Sequence, residues 1–424
     1  MTRNLRPRHV ATAFVLLLPV LLGACGGAYP NSTFTNLTEF NRDLTSLWNV
    51  MIGWGTFVFL FVELLLVYAI WRYRRRPGGP EPEHVHGNTK LEIAWTLLPA
   101  VILVFIAVPT VRTIWKYQSG APEGALQVDV IGHQWWWEFR YPQYDIVTAN
   151  ELYLPTNRAV NFSLRTADVI HSFWIPQLGG KRDLVSNRTN YLWFTPDSTG
   201  AMAFNGSCNE YCGTSHANMR FRAFTVAPED FERWAAHQRG NAVFPAAATT
   251  PGTPGSSTGA AMAAIVPQSQ DSSAAAAPAA SPGFVFPQDR LPVHVTPQTA
   301  IPSTVSFPEN LLAAGDAQRG FELYSRSLCI GCHRIQGNAR SQARTGPDLT
   351  HVASRLTIGA GLFPNDARHL AHWIKNARAM KPGVLMPTVG VNQYDPVLKT
   401  NVVQAAGLTD EQIADIVAYL MTLK

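Results

Sequence analysis

The stretch from Cys208 to Met219 reads CNEYCGTSHANM and places two thiols, one imidazole and one thioether within twelve residues. Thiolate and thioether sulfur are soft metal ligands and imidazole suits copper, so this set of donors favours copper over a hard cation. A mononuclear blue-copper site uses a single cysteine, whereas two thiolates can bridge a pair of copper ions. The stretch therefore predicts a dinuclear copper site.

Each copper ion of such a pair needs its own imidazole, so a second histidine must come from another part of the chain. The preferred candidate is His171, in the strand-like segment VIHSFWIP (169–176), and His133 is the other candidate. A disulfide or a tetrahedral zinc site with two cysteines and two histidines is the alternative for the same residues. Met219, three residues after His216, argues against zinc.

A second cysteine motif reads CIGCH and runs from Cys329 to His333. In an exported domain, both thiols of such a motif bind haem covalently and the adjacent histidine ligates the iron. Cys329, Cys332 and His333 are therefore predicted haem c residues. The segment GPDL (346–349) resembles the cytochrome c segment whose proline carbonyl, here that of Pro347, accepts the N–H of that histidine.

The sixth iron ligand should be a methionine or a histidine well downstream of the motif. Met386 is preferred because it lies in the loop KPGVLMP (381–387), where two prolines restrict the backbone and prevent a helix from continuing. Met380, just before this loop, is the competing candidate.

The chain has 424 residues, 46% hydrophobic and 15% charged, which indicates several modules and a membrane segment. Residues 47–71 and 91–114 are apolar over more than the roughly 20 residues that cross a bilayer. The basic cluster at 72–76 lies between them, so the connecting loop is predicted to be cytoplasmic and the remainder to face the other side. Because this cluster adjoins a predicted span, the net charge of +5 gives no indication of nucleic-acid binding.

The amino terminus has three early arginines, an apolar run at 11–22 and then Leu22-Gly23-Ala24-Cys25. This pattern is typical of a secretory signal and resembles a bacterial lipobox, in which Cys25 becomes the lipidated first residue. A plain cleaved signal is the alternative. We therefore expect a lipoprotein-type signal over residues 1–24 and the two-helix hairpin over 25–120.

Composition predicts three further segments. Residues 121–240 contain short runs of β-branched and aromatic residues between turn signals, which indicate a sandwich or small barrel. Residues 241–307 are rich in Ala, Pro, Ser and Thr and are predicted to be a disordered linker, with a span of about 40 Å over roughly 50 flexible residues. Residues 308–424 show helical patterning, so we expect a small all-α domain that is tethered to its neighbour but not fixed to it.

Several of these motifs together resemble subunit II of haem–copper cytochrome c oxidases. They are the hairpin, HGN (86–88), LEIAWT (91–96), GHQWWW (132–137), His171 and the loop at 208–219. The C-terminal haem motif makes the chain similar to the caa3-type subunit. The resemblance implies a multidomain fold: a two-helix transmembrane hairpin, a cupredoxin-like Greek-key β-barrel, a disordered linker and an all-α class I cytochrome c domain.

The resemblance also implies a role for each candidate residue. Cys208 and Cys212 would bridge the coppers, His171 and His216 would each bind one, and Met219 and the Glu210 carbonyl would be axial ligands. The Glu210 side chain matches the family's magnesium ligand at the contact with subunit I. Trp135 matches the tryptophan at which electrons enter, and Glu92 matches the carboxylate at the mouth of a proton channel in subunit I.

The implied function is that of the subunit through which electrons enter a respiratory oxidase of the bacterial inner membrane. The protein would be multi-pass, with its copper and haem domains on the periplasmic side. Its implied partners are subunits I and III, a cytochrome c or another electron donor, and the lipid bilayer. Oxygen reduction and proton pumping would occur in subunit I.

Four other classes of protein share some of these features. Quinol-oxidase subunits lack the copper ligands, nitrous-oxide reductases lack the hairpin, and the haem motif argues against a copper-delivery lipoprotein. A subunit of a copper-containing nitric-oxide reductase remains an alternative, because its gas chemistry also lies in another chain.

Overall fold

The computed structural model describes residues 29–75, 77–79, 81, 84, 86–197, 200–242 and 283–424. The predicted signal segment, Cys25 and most of the predicted linker lie outside these residues. The described residues form two long helices, a β domain that begins at Leu126, and a mainly helical C-terminal domain that begins near Pro308.

The two long helices are α1 (Glu39–Arg72) and α2 (Thr89–Gln118). Both are long and apolar enough to cross a membrane, judged by length and composition. Thr38 and Asn88 precede them, and their side-chain oxygens accept hydrogen bonds from backbone N–H groups of the first turn that have no helical partner. These caps define where each helix begins.

Both helices extend past the apolar spans predicted at 47–71 and 91–114. Near the β domain, Asp43 of α1 accepts hydrogen bonds from Lys116 Nζ (2.6 Å) and Tyr117 Oη (2.7 Å) of α2. Polar residues of this kind have adequate helix propensity, so the end of an apolar run does not end the helix. Beyond the apolar spans, these polar contacts join the two helices to each other at the end nearest the β domain.

The β domain consists of two five-stranded sheets. The strands are β1 (Leu126–His133), β2 (Trp136–Tyr141), β3 (Ile146–Ala149), β4 (Glu151–Pro155), β5 (Val160–Thr166), β6 (His171–Trp174), β7 (Arg182–Leu184), β8 (Asn190–Phe194), β9 (Met202–Cys208) and β10 (Arg220–Val226). The sheet orders are β3-β2-β1-β5-β8 and β4-β10-β9-β6-β7. The β1–β5 and β4–β10 pairs are parallel and the other pairs are antiparallel. The predicted small β-barrel or sandwich is confirmed.

An aromatic core lies between the two sheets. Every second residue of β1 is buried from Leu126 onwards, which is the period of a strand covered on one face. The ring of Phe173 lies 5.0 Å from that of Phe221 and 5.8 Å from that of Trp137, centroid to centroid. Truncating one of these buried rings to alanine should destabilise the domain by about 3–5 kcal/mol. Helix α3 (Pro228–Gln238) packs against β4 and follows the last strand.

The C-terminal domain is built on short helices joined by two small hairpins. Its elements are α4 (Ala317–Tyr324), β11 (Thr357–Ile358), β12 (Phe363–Pro364), α5 (Ala367–Lys375), α6 (Ala377–Met380), β13 (Tyr394–Asp395), β14 (Thr400–Asn401) and α7 (Asp410–Leu420). A Cβ atom at Gly320 would lie 1.9 Å from the Asp415 backbone oxygen, so glycine allows α4 and α7 to cross closely. Thr409 and Gln412 form a capping box at the start of α7.

Short 3-10 helices occur between these elements. They cover Thr33–Thr35, His216–Asn218, Gln288–Arg290, Glu309–Ala314, Leu328–Gly331 and Val352–Ser354. Two of them contain predicted site residues, because one lies in the loop at 208–219 and another in the CIGCH motif.

The predicted disordered linker, 241–307, extends too far, because its last part is packed. We call this packed segment, residues 283–307, the strap. Phe286 is buried against Phe224, with 4.8 Å between ring centroids, and its N–H donates to Tyr153 Oη at 3.2 Å. Phe307, at the other end, is buried in the core of the C-terminal domain. Unlike the preceding Ala/Ser-rich segment, the strap carries large apolar side chains whose burial offsets the entropy of ordering.

The C-terminal domain lies directly against the β domain, contrary to the expectation that it is tethered without being fixed. Glu151 Oε1 accepts hydrogen bonds from the backbone N–H groups of Leu356 (2.7 Å) and Thr357 (2.9 Å). Lys381 Nζ donates to the Trp135 backbone oxygen at 2.6 Å. The numbers of acidic and basic residues in the two domains could not predict these contacts, since each contact joins one buried side chain to backbone groups.

Candidate metal centre and haem-binding loop

The loop at 208–219 connects β9 to β10, two neighbouring antiparallel strands. The N–H of Cys208 donates to the Met219 backbone oxygen at 3.0 Å, which closes the loop where it begins and ends. His171 begins β6, which pairs with β9 through Phe173 opposite Cys208. The sheet therefore brings His171 to the loop from a distant part of the sequence.

The other four predicted copper donors surround the two thiols. The distances are 3.8 Å between Cys208 Sγ and Cys212 Sγ, 3.8 Å from Cys208 Sγ to His171 Nδ1, 3.6 Å from Cys212 Sγ to His216 Nδ1, 3.8 Å from Cys212 Sγ to Met219 Sδ, and 3.3 Å from Cys208 Sγ to the Glu210 oxygen. Disulfide sulfurs would be about 2.0 Å apart, so the cysteines are free. One imidazole lies beside each thiol, an arrangement that fits two metal ions bridged by two thiolates.

The two thiols change each other's protonation. Their mutual hydrogen bond, with a contribution from His171, lowers the pKa of Cys208. The same hydrogen bond raises the pKa of Cys212 far above its usual range. Because cysteines bind metal ions as thiolates, a metal ion that binds both sulfurs must displace any proton that they carry.

Asp168 orients the first imidazole, and we did not predict it from the sequence. Its Oδ1 lies 2.8 Å from His171 Nε2, which leaves Nδ1 directed at Cys208. The Gln134 N–H donates to Asp168 Oδ2 at 2.6 Å. Burial disfavours both charges, but their contact lowers the pKa of Asp168 and raises that of His171. The three-residue spacing of Asp168 and His171 is the only sequence signal, and it is too common to identify a contact.

His133, the other candidate copper ligand, is engaged elsewhere. Its Nε2 lies 3.1 Å from Glu138 Oε2, and its ring stacks on Trp136 with 4.2 Å between centroids. Among the described histidines, His171 and His216 are the two whose imidazoles lie beside the thiols. The structure therefore favours the predicted ligand over the alternative.

Trp135 lies between the copper loop and the loop that carries Met386. Its Nε1 donates to the Cys212 backbone oxygen at 3.0 Å. A Cβ atom at Gly213 would lie 3.0 Å from Trp135 Cζ2, and one at Gly383 would lie 2.8 Å from Cζ3. Both glycines have positive φ, +111° and +89°, so the absence of a side chain permits each backbone to approach the indole. The ring consequently contacts both loops.

The CIGCH motif forms a 3-10 turn whose thiols are free. His333 Nδ1 lies 2.8 Å from the Pro347 oxygen, which is the predicted proline contact and leaves Nε2 available to iron. Burial lowers the pKa of His333, so the imidazole is held in its neutral, ligating form. These features fit covalent haem c attached at Cys329 and Cys332.

The two candidate sixth ligands differ in their surroundings. Met380 ends α6 and is buried in the hydrophobic core of the C-terminal domain. Met386 is partly buried and packs against that core from the loop that contacts Trp135. The more accessible thioether of Met386 makes it the better candidate for binding a haem iron.

Glu92 and the Glu210 side chain lie at exposed positions. Glu92 is in the first turn of α2, where its backbone oxygen accepts a hydrogen bond from Thr96 Oγ1 at 2.8 Å. Glu210 turns its carbonyl towards Cys208 and its side chain outwards. Within the described part of the chain, the one group of three metal-ligating side chains is His171, Cys208 and Cys212.

Three family models match the chain. Residues 37–113 match the transmembrane domain of cytochrome c oxidase subunit II, residues 145–224 match its periplasmic domain, and residues 317–424 match cytochrome c. Together these matches cover the first long helix, most of the second, most of the β domain and the C-terminal domain.

Known relatives carry related names. Cytochrome c oxidase subunit 2 of Alkalihalophilus pseudofirmus is 28% identical over 371 residues, which cover 85% of this chain and 82% of that protein. Probable cytochrome c oxidase subunit 2 of Rickettsia bellii is 34% identical, covering 43% of this chain and 74% of that protein. Quinol oxidase subunit 2 of Bacillus spizizenii is 32% identical, covering 55% of this chain and 72% of that protein.

Proposed function

Because this chain belongs to the cytochrome c oxidase subunit II family and ends in a cytochrome c domain, we propose that it relays electrons from haem c through Trp135 to a dinuclear copper site. The protein is the subunit through which electrons enter the oxidase, and oxygen reduction belongs to subunit I of such a complex. We further propose the path that electrons take within this subunit and the residues that form it.

The position of Trp135 carries the proposal. The indole is buried, donates to Cys212 and contacts the backbone of Gly213 and Gly383. An aromatic ring in van der Waals contact with both loops shortens the distance that an electron must tunnel through empty space. Trp135 would thereby connect the two cofactor sites without itself being a ligand.

The chain's own side chains would hold both cofactors. Cys208 and Cys212 would bridge two copper ions, with His171, His216, Met219 and the Glu210 carbonyl completing the ligand set. Cys329, Cys332, His333 and Met386 would hold haem c. When bound, the two groups supply one-electron carriers, and Asp168 and the Pro347 carbonyl keep the ligating imidazoles oriented.

The copper ligands favour cytochrome c oxidase over a quinol oxidase. The Bacillus spizizenii relative is named a quinol oxidase subunit, so overall similarity alone does not separate the two activities. The convergence of two thiols, two imidazoles and a thioether supports a metal carrier in this chain. The C-terminal CIGCH motif supports a cytochrome-type donor rather than a quinol.

The remaining partners are proposed from position. Exposed Glu92 at the start of α2 would face subunit I at the mouth of a proton channel, and the exposed Glu210 carboxylate would share a magnesium ion with that subunit. The electron donor would be a cytochrome c or another periplasmic or membrane carrier. Subunit III would complete the complex.

The membrane arrangement is likewise proposed. α1 and α2 would both cross the bacterial inner membrane, with the β domain and the C-terminal domain on the periplasmic side. A lipidated Cys25 would add an anchor on that side, and mass spectrometry of the N-terminal peptide would test it. An unmodified peptide that still contains Ala24 and Cys25 would contradict lipidation.

The purified complex provides the decisive experiment. Metal analysis should find two coppers in this subunit, and its optical spectrum should show covalently bound haem c. After rapid mixing with reduced cytochrome c, haem c should become reduced before the copper signal, and oxygen consumption should follow. A single zinc in place of copper, or uptake of nitric oxide instead of oxygen, would refute the assignment.

A further inference from the structure

Three buried charged side chains bind the backbone of the opposite domain at the contact between the β domain and the C-terminal domain. Glu151 of the β domain accepts the N–H groups of Leu356 and Thr357. Arg222 of the β domain donates to the Gly361 oxygen at 2.9 Å. Lys381 of the C-terminal domain donates to the Trp135 oxygen at 2.6 Å. The pattern is reciprocal, since each domain contributes charged side chains and backbone partners.

Burial makes these contacts strongly dependent on geometry. Glu151, Arg222 and Lys381 are 2%, 3% and 1% exposed. Charged groups are almost never so deeply buried unless they are hydrogen-bonded, because removal from water is unfavourable. A small displacement of one domain would break the hydrogen bonds while the charges remained buried. One relative position of the domains is therefore favoured over nearby ones.

The strap adds a further contact at the same place. Arg222 Nε donates to the Val295 oxygen at 2.7 Å, so one guanidinium binds both the strap and the C-terminal domain. Arg355 of the C-terminal domain is close enough to Glu151 to stabilise its negative charge. The segment that arrives from the linker is thus part of the interface.

Lys381 connects this interface to the relay. It is followed directly by Pro382, whose oxygen accepts a hydrogen bond from Ser215 Oγ of the copper loop, and by Gly383, which contacts the Trp135 ring. Lys381 Nζ also donates to the Gly359 oxygen of its own domain at 3.2 Å. A single ammonium group therefore holds the Met386 loop, its own domain and the backbone of Trp135 together.

We propose that Glu151, Arg222 and Lys381 form a polar lock that fixes the C-terminal domain in one pose on the β domain, with Gly383 against the Trp135 indole. The three are positioning residues, because none is among the proposed cofactor ligands. With the lock closed, the Trp135 indole would stay in contact with both loops, so electron transfer between the two proposed cofactor sites would need no movement of a domain. This functional consequence rests on the proposed relay, whereas the lock itself is a structural statement.

Hydrogen exchange in the purified complex tests the lock independently of electron transfer. In the unaltered protein the amides of Leu356 and Thr357 should be protected, because they donate to Glu151. Lys381→Met and Glu151→Leu, which remove the donor and the acceptor, should each reduce this protection by about tenfold or more. The matched controls are Lys399→Met and Glu322→Leu, which alter exposed side chains of the C-terminal domain and should leave the protection unchanged.

Intramolecular electron transfer after photoreduction provides the second measurement. The rate from haem c to copper should be independent of solvent viscosity in the unaltered complex. In the Lys381→Met and Glu151→Leu complexes it should fall by about tenfold or more and become viscosity-dependent, since a domain must first find its position. Copper content and the haem c spectrum should be unchanged. If Lys381→Met does not assemble, Glu151→Leu alone decides.

Unchanged amide protection and an unchanged rate in the lock variants would overturn the proposal. Failure of the relay would look different: the unaltered complex would show no electron transfer from haem c to copper, while amide protection would still respond to the variants. The two results together therefore distinguish an absent lock from an incorrect function.

Discussion

The indole Nε1 of Trp135 donates a hydrogen bond to the backbone carbonyl of Cys212 at 3.0 Å. The ring is thereby held by the same residue whose thiol is a proposed copper bridge. The benzene ring of the same indole contacts Gly383. The orientation of this one side chain therefore determines whether the copper loop and the Met386 loop are joined by an aromatic ring.

Trp135→Ala should slow electron transfer from haem c to copper by about a hundredfold, because it removes the ring that fills the space between the loops. Trp135→Phe should have a smaller effect, since it keeps an aromatic ring but loses the hydrogen bond to Cys212. Stopped-flow reduction of the copper site measures both. Trp136→Phe, on the neighbouring ring that stacks on His133, is the control. Loss of copper in Trp135→Ala would indicate a packing role instead.

Cys208→Ser and Cys212→Ser should each abolish the dinuclear copper site, because one thiolate cannot bridge two ions symmetrically. The thiols lie 3.8 Å apart and each has its own imidazole, and the nearby Met219 sulfur is a neutral thioether that cannot replace a bridging thiolate. Metal analysis and electron paramagnetic resonance of the complex provide the measurement. Retention of two coppers by either variant would contradict the proposed bridge, whereas haem c content should be unaffected.

Gly383→Ala should slow the same electron transfer without changing the haem spectrum. The new Cβ atom would lie 2.8 Å from Trp135 Cζ3, and the φ of +89° is unfavourable for alanine, so the loop must move away from the indole. Leu385→Ala is the matched control, because that side chain is in the same loop but 72% exposed. Equal rates for both variants would show that contact at Gly383 is not needed.

Docking of the C-terminal domain should weaken as the pH rises from about 4.5 to about 7. Burial raises the pKa of Glu151 from its usual 4.5 to about 7, although Arg355 and the amides of Leu356 and Thr357 oppose this shift. Between these values the docked state retains a proton that the separated state has lost, so a higher pH favours separation. Burial lowers the pKa of Lys381 to about 7, so its titration affects docking only above that pH.

Protection factors of the Leu356 and Thr357 amides, corrected for the intrinsic pH dependence of exchange, measure this effect. Glu151→Gln carries no titrating carboxyl, so its protection should be flat over the same pH range. A pH dependence that survives in Glu151→Gln would assign the effect to another group.

Asp395→Asn should destabilise the C-terminal domain by about 3 kcal/mol, because it breaks a buried ion pair and leaves a cation without its partner. Asp395 is fully buried and accepts hydrogen bonds from Arg378 Nη1 at 2.6 and 2.7 Å and from the N–H groups of Val397 and Leu398. Denaturant unfolding followed by haem absorbance measures the loss. Glu322→Gln, which breaks an exposed pair on α4, should change stability little.

Asp395→Asn should also affect the methionine ligand. Arg378 Nη2 reaches the Leu385 oxygen at 3.4 Å, next to Met386, so loss of its carboxylate partner frees the loop. The haem c midpoint potential is expected to fall if the proposed thioether ligation weakens. An unchanged potential would place the iron ligand outside this loop.

Much of the candidate site could be predicted because its chemistry is local in sequence. Cys208, Cys212, His216 and Met219 lie within one loop, and the CIGCH motif is contiguous, so ligand spacing alone indicates what each can bind. His171 required a choice between two histidines, and only the pairing of β6 with β9, through Phe173 opposite Cys208, shows that His171 lies beside the thiols. The apolar runs predicted both long helices, although both helices continue through polar residues beyond the predicted ends.

The modules and the candidate donor atoms can be read from the sequence, since periodicity and ligand chemistry act over short stretches of chain. The folded structure was needed to show that Asp168 orients His171, that the strap is packed, and that Lys381 reaches the backbone of Trp135 across 246 positions of sequence. Such contacts depend on the shapes of two folded surfaces and on which single polar groups become buried together. No hydrophobic period or residue spacing records them, because neither surface exists until each domain has folded.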